Sequence, residues 1–220
     1  MTRHEWGSRY SGVVSDSAVL SEPLPPSVAV QPTRDPAQML DAVIREWGGT
    51  SDLWLFAYAS LIWRPEHEFA EERFATVYGY HRALKMWSRV NRGTPECPGL
   101  VFGLLSGGSC RGMVYRIPQA QVAQALPKLW EREMPNGVYD PKWLPCQTDE
   151  GEVRALAFTL SKRSPNHTGV LSEDTYRQIF SHSCGRYGTT LDYAQLTYDK
   201  LRGLGIEDHA LRKLLKLASG

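Results

Sequence analysis

Cysteine is scarce in this chain of 220 residues, and its copies are far apart. The four cysteines form no Cys-x-x-Cys pair, and no closely spaced pair of histidines accompanies them; they are Cys97, Cys110, Cys146 and Cys184. Structural zinc sites and disulfide scaffolds need such pairs, so the sequence argues against both. We expect no metal site, no cofactor and a reduced, cytoplasmic setting.

Long apolar runs and clustered positive charge are missing as well. No apolar stretch approaches the roughly 18 residues of a membrane span. The first residues lack the apolar segment of a secretion signal. The formal net charge is +1, and the 25 Lys and Arg residues are spread along the chain rather than gathered. Nucleic-acid binding needs a basic stripe, so we expect neither nucleic acid nor a membrane as a partner.

Apolar residues make up 42% of the chain, which is enough for a sizeable core. Residues 1–34 have little periodicity and are rich in Ser, Pro and Val, which predicts a flexible tail. Residues 35–220 then predict one domain, with a first helix capped by Asp35 and begun by Pro36. The sequence gives no oligomeric state.

The order of predicted elements indicates an α+β domain with a curved or closed, antiparallel-rich sheet and helices outside it. Strand patterns occupy residues 73–90, 100–105 and 111–117, and we expect a hairpin turn at 106–109, where Gly107 and Gly108 lie. A helix is predicted over 120–134, a second hairpin over 142–160, and further helices from Ser172 onward.

The segment from Trp54 to Pro65 is the most informative strand of the chain. It begins with large apolar residues, becomes small from Ala57 to Ser60, and ends at a proline. Small residues after a strand let a ligand approach the backbone, whose N–H groups can hold an anion. The other interpretation is a core strand that runs into a tight loop.

The predicted helix over 120–134 separates two acidic residues. Val122, Leu126 and Leu129 form an apolar stripe at spacings of four and three, and Glu133 continues it four residues later. Glu133 should therefore point inward, whereas Glu131 should face solvent. Burial and the helix C-terminus both disfavour a carboxylate, so we expect a raised pKa, typical of a general acid or base.

Two features leave the role of Glu133 open at this point. An inward carboxylate can also pair with an arginine, such as Arg132 or Arg154, for structural reasons alone. Pro127 removes a hydrogen bond within the helix and can kink it, which would make the stripe approximate.

Several motifs occur in one order between residue 52 and the end of the chain. They are Phe56-Ala-Tyr-Ala-Ser-Leu-Ile-Trp63, Gly79-Tyr-His-Arg82, Arg92-Gly-Thr-Pro95, Gly112-Met-Val-Tyr-Arg116, Leu129-Trp-Glu-Arg-Glu-Met134, Gly137-Val-Tyr139, Gly185-Arg-Tyr-Gly-Thr-Thr-Leu-Asp-Tyr193 and Gly205-Ile-Glu-Asp208. Together they resemble the ChaC family of γ-glutamylcyclotransferases, enzymes that act on glutathione. The first motif departs from the family, which has glycine at the positions of Ala57 and Ala59.

The resemblance implies a γ-glutamylcyclotransferase-like small β-barrel with surrounding helices. It implies a small-molecule substrate, glutathione, which would be converted to 5-oxoproline and Cys-Gly without a cofactor. Glu133 would be the catalytic acid and base, and the backbone of the first motif would bind the γ-glutamyl group. The expected substrate-binding residues are Leu55, Phe56, Ala57, Tyr58, Ala59, Ser60, Leu61, Arg92, Tyr115, Tyr139 and Tyr193.

Two alternatives remain beside this hypothesis. The chain could be a cyclotransferase for other γ-glutamyl amides, or a γ-glutamyl-binding regulatory module with weak catalysis. The two alanines favour altered binding because alanine tolerates positive φ poorly.

Overall fold

The computed structural model of the protein describes residues 34–65 and 68–218. The predicted tail therefore lies outside the described residues, apart from Arg34. The five main strands are β1 (Leu53–Ala57), β2 (Glu71–Ser88), β3 (Gly99–Ile117), β4 (Asp140–Thr148) and β5 (Gly151–Thr159). They close into a barrel in the order β1-β3-β2-β4-β5.

The barrel is mixed in direction. Four neighbouring strand pairs are antiparallel, and β5 closes the barrel by pairing in parallel with β1 and β3. Large apolar side chains fill a common core; the biggest fully buried ones include Phe56, Phe158, Leu104 and Met134. The predicted closed sheet with helices around it is thus confirmed.

The predicted hairpin turn at residues 106–109 is wrong. β3 continues through these residues and pairs with β2 on both sides of Gly107 and Gly108. The register shifts where Tyr78 and Tyr80 face Ser109 and Ser106. Gly79 and Gly107 have φ of +80° and +102° there, so they form a bulge. Positive-φ glycines between two apolar runs suit a turn and a bulge equally well, and the local sequence does not separate them.

The helices surround the barrel. They are α1 (Pro36–Trp47), α2 (Ser60–Trp63), α3 (Gln119–Glu133), α4 (Glu173–His182), α5 (Thr190–Gly203) and α6 (His209–Leu215), followed by a 3₁₀ turn (Lys216–Ala218). The predicted cap of α1 is present, since Asp35 accepts from the N–H of Ala37. Ser172 caps α4 by accepting from the N–H of Thr175. A short hairpin of β6 (Cys184–Gly185) and β7 (Gly188–Thr189) precedes α5.

Helix α3 is the element that determines the site. It is continuous across Pro127 and buries Val122, Leu126 and Leu129, as the stripe predicts. The helix ends at Glu133, and the backbone N–H of Met134 closes it on the carbonyl of Trp130. The apolar face thus anchors α3 on the barrel and carries its last residue toward the interior.

Candidate active site

A pocket opens between the end of β1, the end of α3 and helix α5. It encloses about 270 Å³ of empty space, counting its mouth. Its lining consists of Tyr58, Ala59, Ser60, Leu61, Phe102, Glu133, Tyr139, Phe158 and Tyr193. Among the lining residues that the structure describes, Glu133 is the only carboxylate, and aromatic rings supply most of the remaining wall.

The segment after β1 forms the first wall of the pocket. Ala57 is the last residue of β1 and pairs with Met113, and Ala59 has φ of −145°. Neither residue has the positive φ that would require glycine. A positive φ therefore gives no reason for glycine at either position.

Gly112 explains how β1 can end so close to its neighbour. A Cβ at Gly112 would collide with the carbonyl oxygen of Ala57 and press on the ring of Phe56. The close approach in this motif thus depends on a glycine in β3, opposite β1.

The backbone turns sharply after Ala59. The carbonyl of Ala59 accepts from the N–H of Ile62 at 2.9 Å, and that of Ser60 accepts from Arg64 at 2.8 Å. Among the described residues, no acceptor is present for the N–H groups of Ala59, Ser60 and Leu61. These three N–H groups border the pocket and can donate to a ligand.

Glu133 forms the opposite wall. Its side chain is 14% exposed and lines the pocket, which confirms the inward direction predicted from the stripe. Arg132 Nε lies 2.9 Å from its carboxylate, and the same guanidinium donates to Ser60 Oγ at 3.2 Å and to the carbonyl of Arg64. Arg154 is instead paired with Glu46.

Glu133 therefore pairs with Arg132 and also lines the pocket, so the two interpretations of this residue do not exclude each other. A neighbouring cation favours the ionised carboxylate, which opposes the effects of burial and of the helix end. The raised pKa expected from the sequence stays a prediction.

Three buried tyrosines complete the site. Tyr58 Oη donates to the carbonyl of Phe158 at 2.9 Å, and Tyr139 Oη donates to that of Phe102 at 3.2 Å. Tyr193 Oη accepts from the N–H of Phe102 at 3.4 Å. Burial is the main cause that raises the pKa of all three phenols, that of Tyr193 to about 12, and the charge of Glu133 adds to it. All three phenols are therefore protonated near neutral pH.

The remaining predicted site residues lie outside the lining. Leu55, Phe56 and Ala57 are fully buried in β1. Tyr115 packs against Phe69 with ring centroids 4.5 Å apart, and its hydroxyl donates to the carbonyl of Ile62 at 3.5 Å.

Arg92 lies beside the site rather than in its lining. Its guanidinium stands over the Tyr193 ring, 4.9 Å from the centroid, and donates to the carbonyl of Tyr187. Arg92 therefore contacts a lining residue, Tyr193, but does not line the pocket itself.

Sequence reasoning missed two lining residues, Phe102 and Phe158. Both belong to apolar strands, and nothing distinguishes them from other core aromatics. Within residues 34–65 and 68–218, no group of three or more His, Cys, Asp or Glu residues could hold a metal ion. None of the helices in the described chain has the length and apolar character needed to cross a bilayer.

The barrel and its helices resemble the crystal structure of a γ-glutamyl cyclotransferase specific to glutathione from yeast. The TM-score is 0.69 at 20% identity, over 77% of this chain and 96% of the yeast chain. The fold is thus that of the γ-glutamylcyclotransferases.

The chain belongs to the ChaC-like protein family, whose model matches residues 53–219. It is 34% identical to the glutathione-specific γ-glutamylcyclotransferase of Escherichia coli (strain K12), over 74% of this chain and 71% of the relative. It is 31% identical to glutathione-specific γ-glutamylcyclotransferase 1 of Homo sapiens, over 68% and 69% of the two chains. The resemblance seen in the sequence motifs is confirmed.

Proposed function

We propose that this protein is a glutathione-specific γ-glutamylcyclotransferase that releases 5-oxoproline and Cys-Gly. The observation that carries the proposal is the pocket itself, which is lined by one largely buried carboxylate and by three residues whose N–H groups have no acceptor among the described residues. The activity named for the Escherichia coli and human relatives supports it. The cytoplasm, where glutathione is abundant in its reduced form, is the proposed location.

The reaction is an attack of the substrate on itself. The α-amine nitrogen bonds to the γ-carbonyl carbon, a five-membered ring closes, and the amide C–N bond breaks. The nucleophile and the leaving amine both come from the substrate, so neither water nor a protein nucleophile is consumed. The protein has to move one proton, hold the chain folded and stabilise the oxygen of the tetrahedral intermediate.

Glu133 is the group that we assign to the proton. An α-ammonium group with a pKa of about 8 is mostly protonated at neutral pH, so a base must remove its proton before attack. The three phenols of the lining stay protonated at neutral pH, because burial raises the pKa of each, so none of them is available as the base. Of the described lining residues, Glu133 thus has the side chain suited to accept the amine proton and to return it to the leaving nitrogen.

The N–H groups of Ala59, Ser60 and Leu61 are assigned to the carbonyl oxygen and the glutamyl chain. A donor aimed at a developing oxyanion contributes about 10²- to 10³-fold in rate. The pocket encloses about 270 Å³ of empty space, counting its mouth. It suits a folded γ-glutamyl group, with the rest of the substrate toward the mouth.

The decisive experiment measures 5-oxoproline release from reduced glutathione by the wild type and by Glu133→Gln. This substitution nearly preserves shape and removes the base, so we expect a loss of about 10²- to 10⁴-fold in kcat. Glu131→Gln is the matched control, because Glu131 lies two residues away on the exposed side of α3 and should retain full activity.

Other outcomes have definite meanings. Full activity of Glu133→Gln would return this residue to a structural role beside Arg132. If the wild type releases 5-oxoproline from other γ-glutamyl compounds but not from glutathione, the reaction would be the same and the substrate a different γ-glutamyl compound. Glutathione binding without release of 5-oxoproline would indicate a binding module.

A further inference from the structure

Arg82 on β2 is a buried arginine that joins the pocket to the C-terminal part of the chain. Its side chain is 5% exposed and that of its partner Asp208 is 13% exposed. Nε and Nη2 of Arg82 both donate to Asp208 Oδ2, at 2.9 and 2.8 Å. Both residues end motifs that the proposed mechanism does not use.

The third guanidinium nitrogen reaches the segment that lines the pocket. Nη1 of Arg82 donates to the carbonyl of Tyr58 at 2.8 Å and to that of Arg111 at 3.1 Å. It also lies 3.7 Å from Cys110 Sγ. The rigid fork of the guanidinium thus fixes the Tyr58 carbonyl relative to Asp208.

That carbonyl shares a peptide plane with an N–H group of the pocket. The peptide between Tyr58 and Ala59 is trans, so the Tyr58 C=O and the Ala59 N–H point in opposite directions. Ala59 lines the pocket, and its N–H has no acceptor among the described residues. A cation that binds the carbonyl therefore orients the N–H and also polarises it.

We propose that Arg82, held by Asp208, is a positioning residue that aims the Ala59 N–H at the substrate carbonyl oxygen. The inference rests on the proposed function, because it assigns this N–H to the reacting group. Asp208 also caps α6 by accepting from the N–H of Leu211 at 2.9 Å. Helix α6 is thereby tied to the geometry of the pocket although its residues do not line it.

The competing explanation is that the pair serves stability alone. Removal of one partner from a buried ion pair leaves an uncompensated charge and destabilises a protein, whereas removal of both is far better tolerated. The test therefore compares Arg82→Met, Asp208→Asn and the double variant Arg82→Met/Asp208→Asn. Asparagine keeps the acceptor that caps α6, so the double variant loses the ion pair but retains the cap.

We expect Arg82→Met to lower kcat by about 10²-fold with a much smaller change in KM, because the oriented N–H acts mainly in the transition state. The double variant should recover most of the Tm but not the kcat. Arg82→Lys, which keeps the charge with a less suitable geometry, should recover part of the kcat. Arg116→Met is the control, since Arg116 pairs with Asp52 and Glu71 away from the pocket and should lower only the Tm.

A second measurement needs no turnover. With ¹⁵N-alanine labelling, the Ala59 amide resonance can be assigned by its loss in Ala59→Gly. We expect this resonance to shift in Arg82→Met and in the double variant but not in Arg116→Met.

Three results would decide against the proposal or separate it from the proposed function. Recovery of kcat together with Tm in the double variant would overturn the proposal, as would an unmoved Ala59 resonance. A wild type that releases no 5-oxoproline would refute the proposed function, while the Ala59 resonance would still report whether Arg82 orients this peptide.

Discussion

The two walls of the pocket differ in which part of the chain would do the chemistry. The wall after β1 presents backbone N–H groups, and its side chains include two small residues, Ala59 and Ser60. The facing wall presents side chains, namely the carboxylate of Glu133 and the phenols of Tyr139 and Tyr193.

This difference predicts different tolerance to substitution. A backbone wall accepts any side chain that preserves its path, which explains how alanine can stand where the family motif has glycine. A side-chain wall depends on the identity and position of each group. Substitutions that leave the backbone path intact should therefore matter less after β1 than at the end of α3.

Arg132 is where the two walls meet, so its loss should have the largest effect of the three changes considered next. The guanidinium pairs with Glu133 on one side and donates to Ser60 Oγ on the other. We expect Arg132→Gln to lower kcat by roughly 10- to 100-fold, because small displacements of a catalytic group are costly.

The pH dependence of kcat/KM in Arg132→Gln separates loss of the positive charge from loss of packing, because loss of packing alone would not shift it. The charge of Arg132 favours the ionised form of Glu133, so its removal should shift the acid limb of kcat/KM to higher pH. Arg132→Lys keeps the positive charge, so its acid limb should return part of the way to that of the wild type. A normal acid limb in Arg132→Gln would show that the cation does not act on Glu133.

Tyr193→Phe tests the side-chain wall through stability at high pH. The unfolded chain releases this phenol proton above about pH 10, whereas the folded chain keeps it until about pH 12. The unfolded state then binds fewer protons, so the free energy of unfolding falls as pH rises through this window. Tyr58 and Tyr139 act with the same sign, because burial raises the pKa of both.

Urea unfolding between pH 8 and 11.5 measures this dependence. We expect the stability of Tyr193→Phe to fall less steeply than that of the wild type, by up to one proton, or about 1.4 kcal/mol per pH unit. Tyr187→Phe is the control, because Tyr187 is largely exposed and should leave the slope unchanged. Equal slopes for wild type and Tyr193→Phe would mean that Tyr193 is not protected from ionisation in the folded protein.

The sequence revealed the parts of the site that depend on local periodicity. The stripe of α3 placed Glu133 inward because helical spacing relates residues that are three and four apart. The small residues after Phe56 located the backbone wall for a similar reason, since a strand and its end lie within a few residues.

Features that depend on contacts between distant segments could not be obtained this way. Arg82 and Asp208 are 126 residues apart, and no local pattern predicts that they share a buried ion pair. Phe102 and Phe158 line the pocket only because the barrel closes around them. The bulge at Gly107 was misjudged because its backbone conformation also suits a turn.

The smallest expected effect comes from restoring the glycines of the family motif on the backbone wall. Since Ala57 lies in a strand and Ala59 has a negative φ, neither has the positive φ that favours glycine. Ala57→Gly and Ala59→Gly should therefore leave kcat and KM for glutathione within about threefold, a change of less than 1 kcal/mol. Each should lower the free energy of unfolding by about 0.5–1 kcal/mol, because glycine loses more conformational freedom on folding. Steady-state kinetics measure the first quantity and urea unfolding the second.

Gly112→Ala is the contrasting change, because its added Cβ would push on the Ala57 carbonyl and displace the wall. A large gain in activity from either glycine would contradict the view that this wall acts through its backbone alone, since the methyl groups would then be obstructing the substrate.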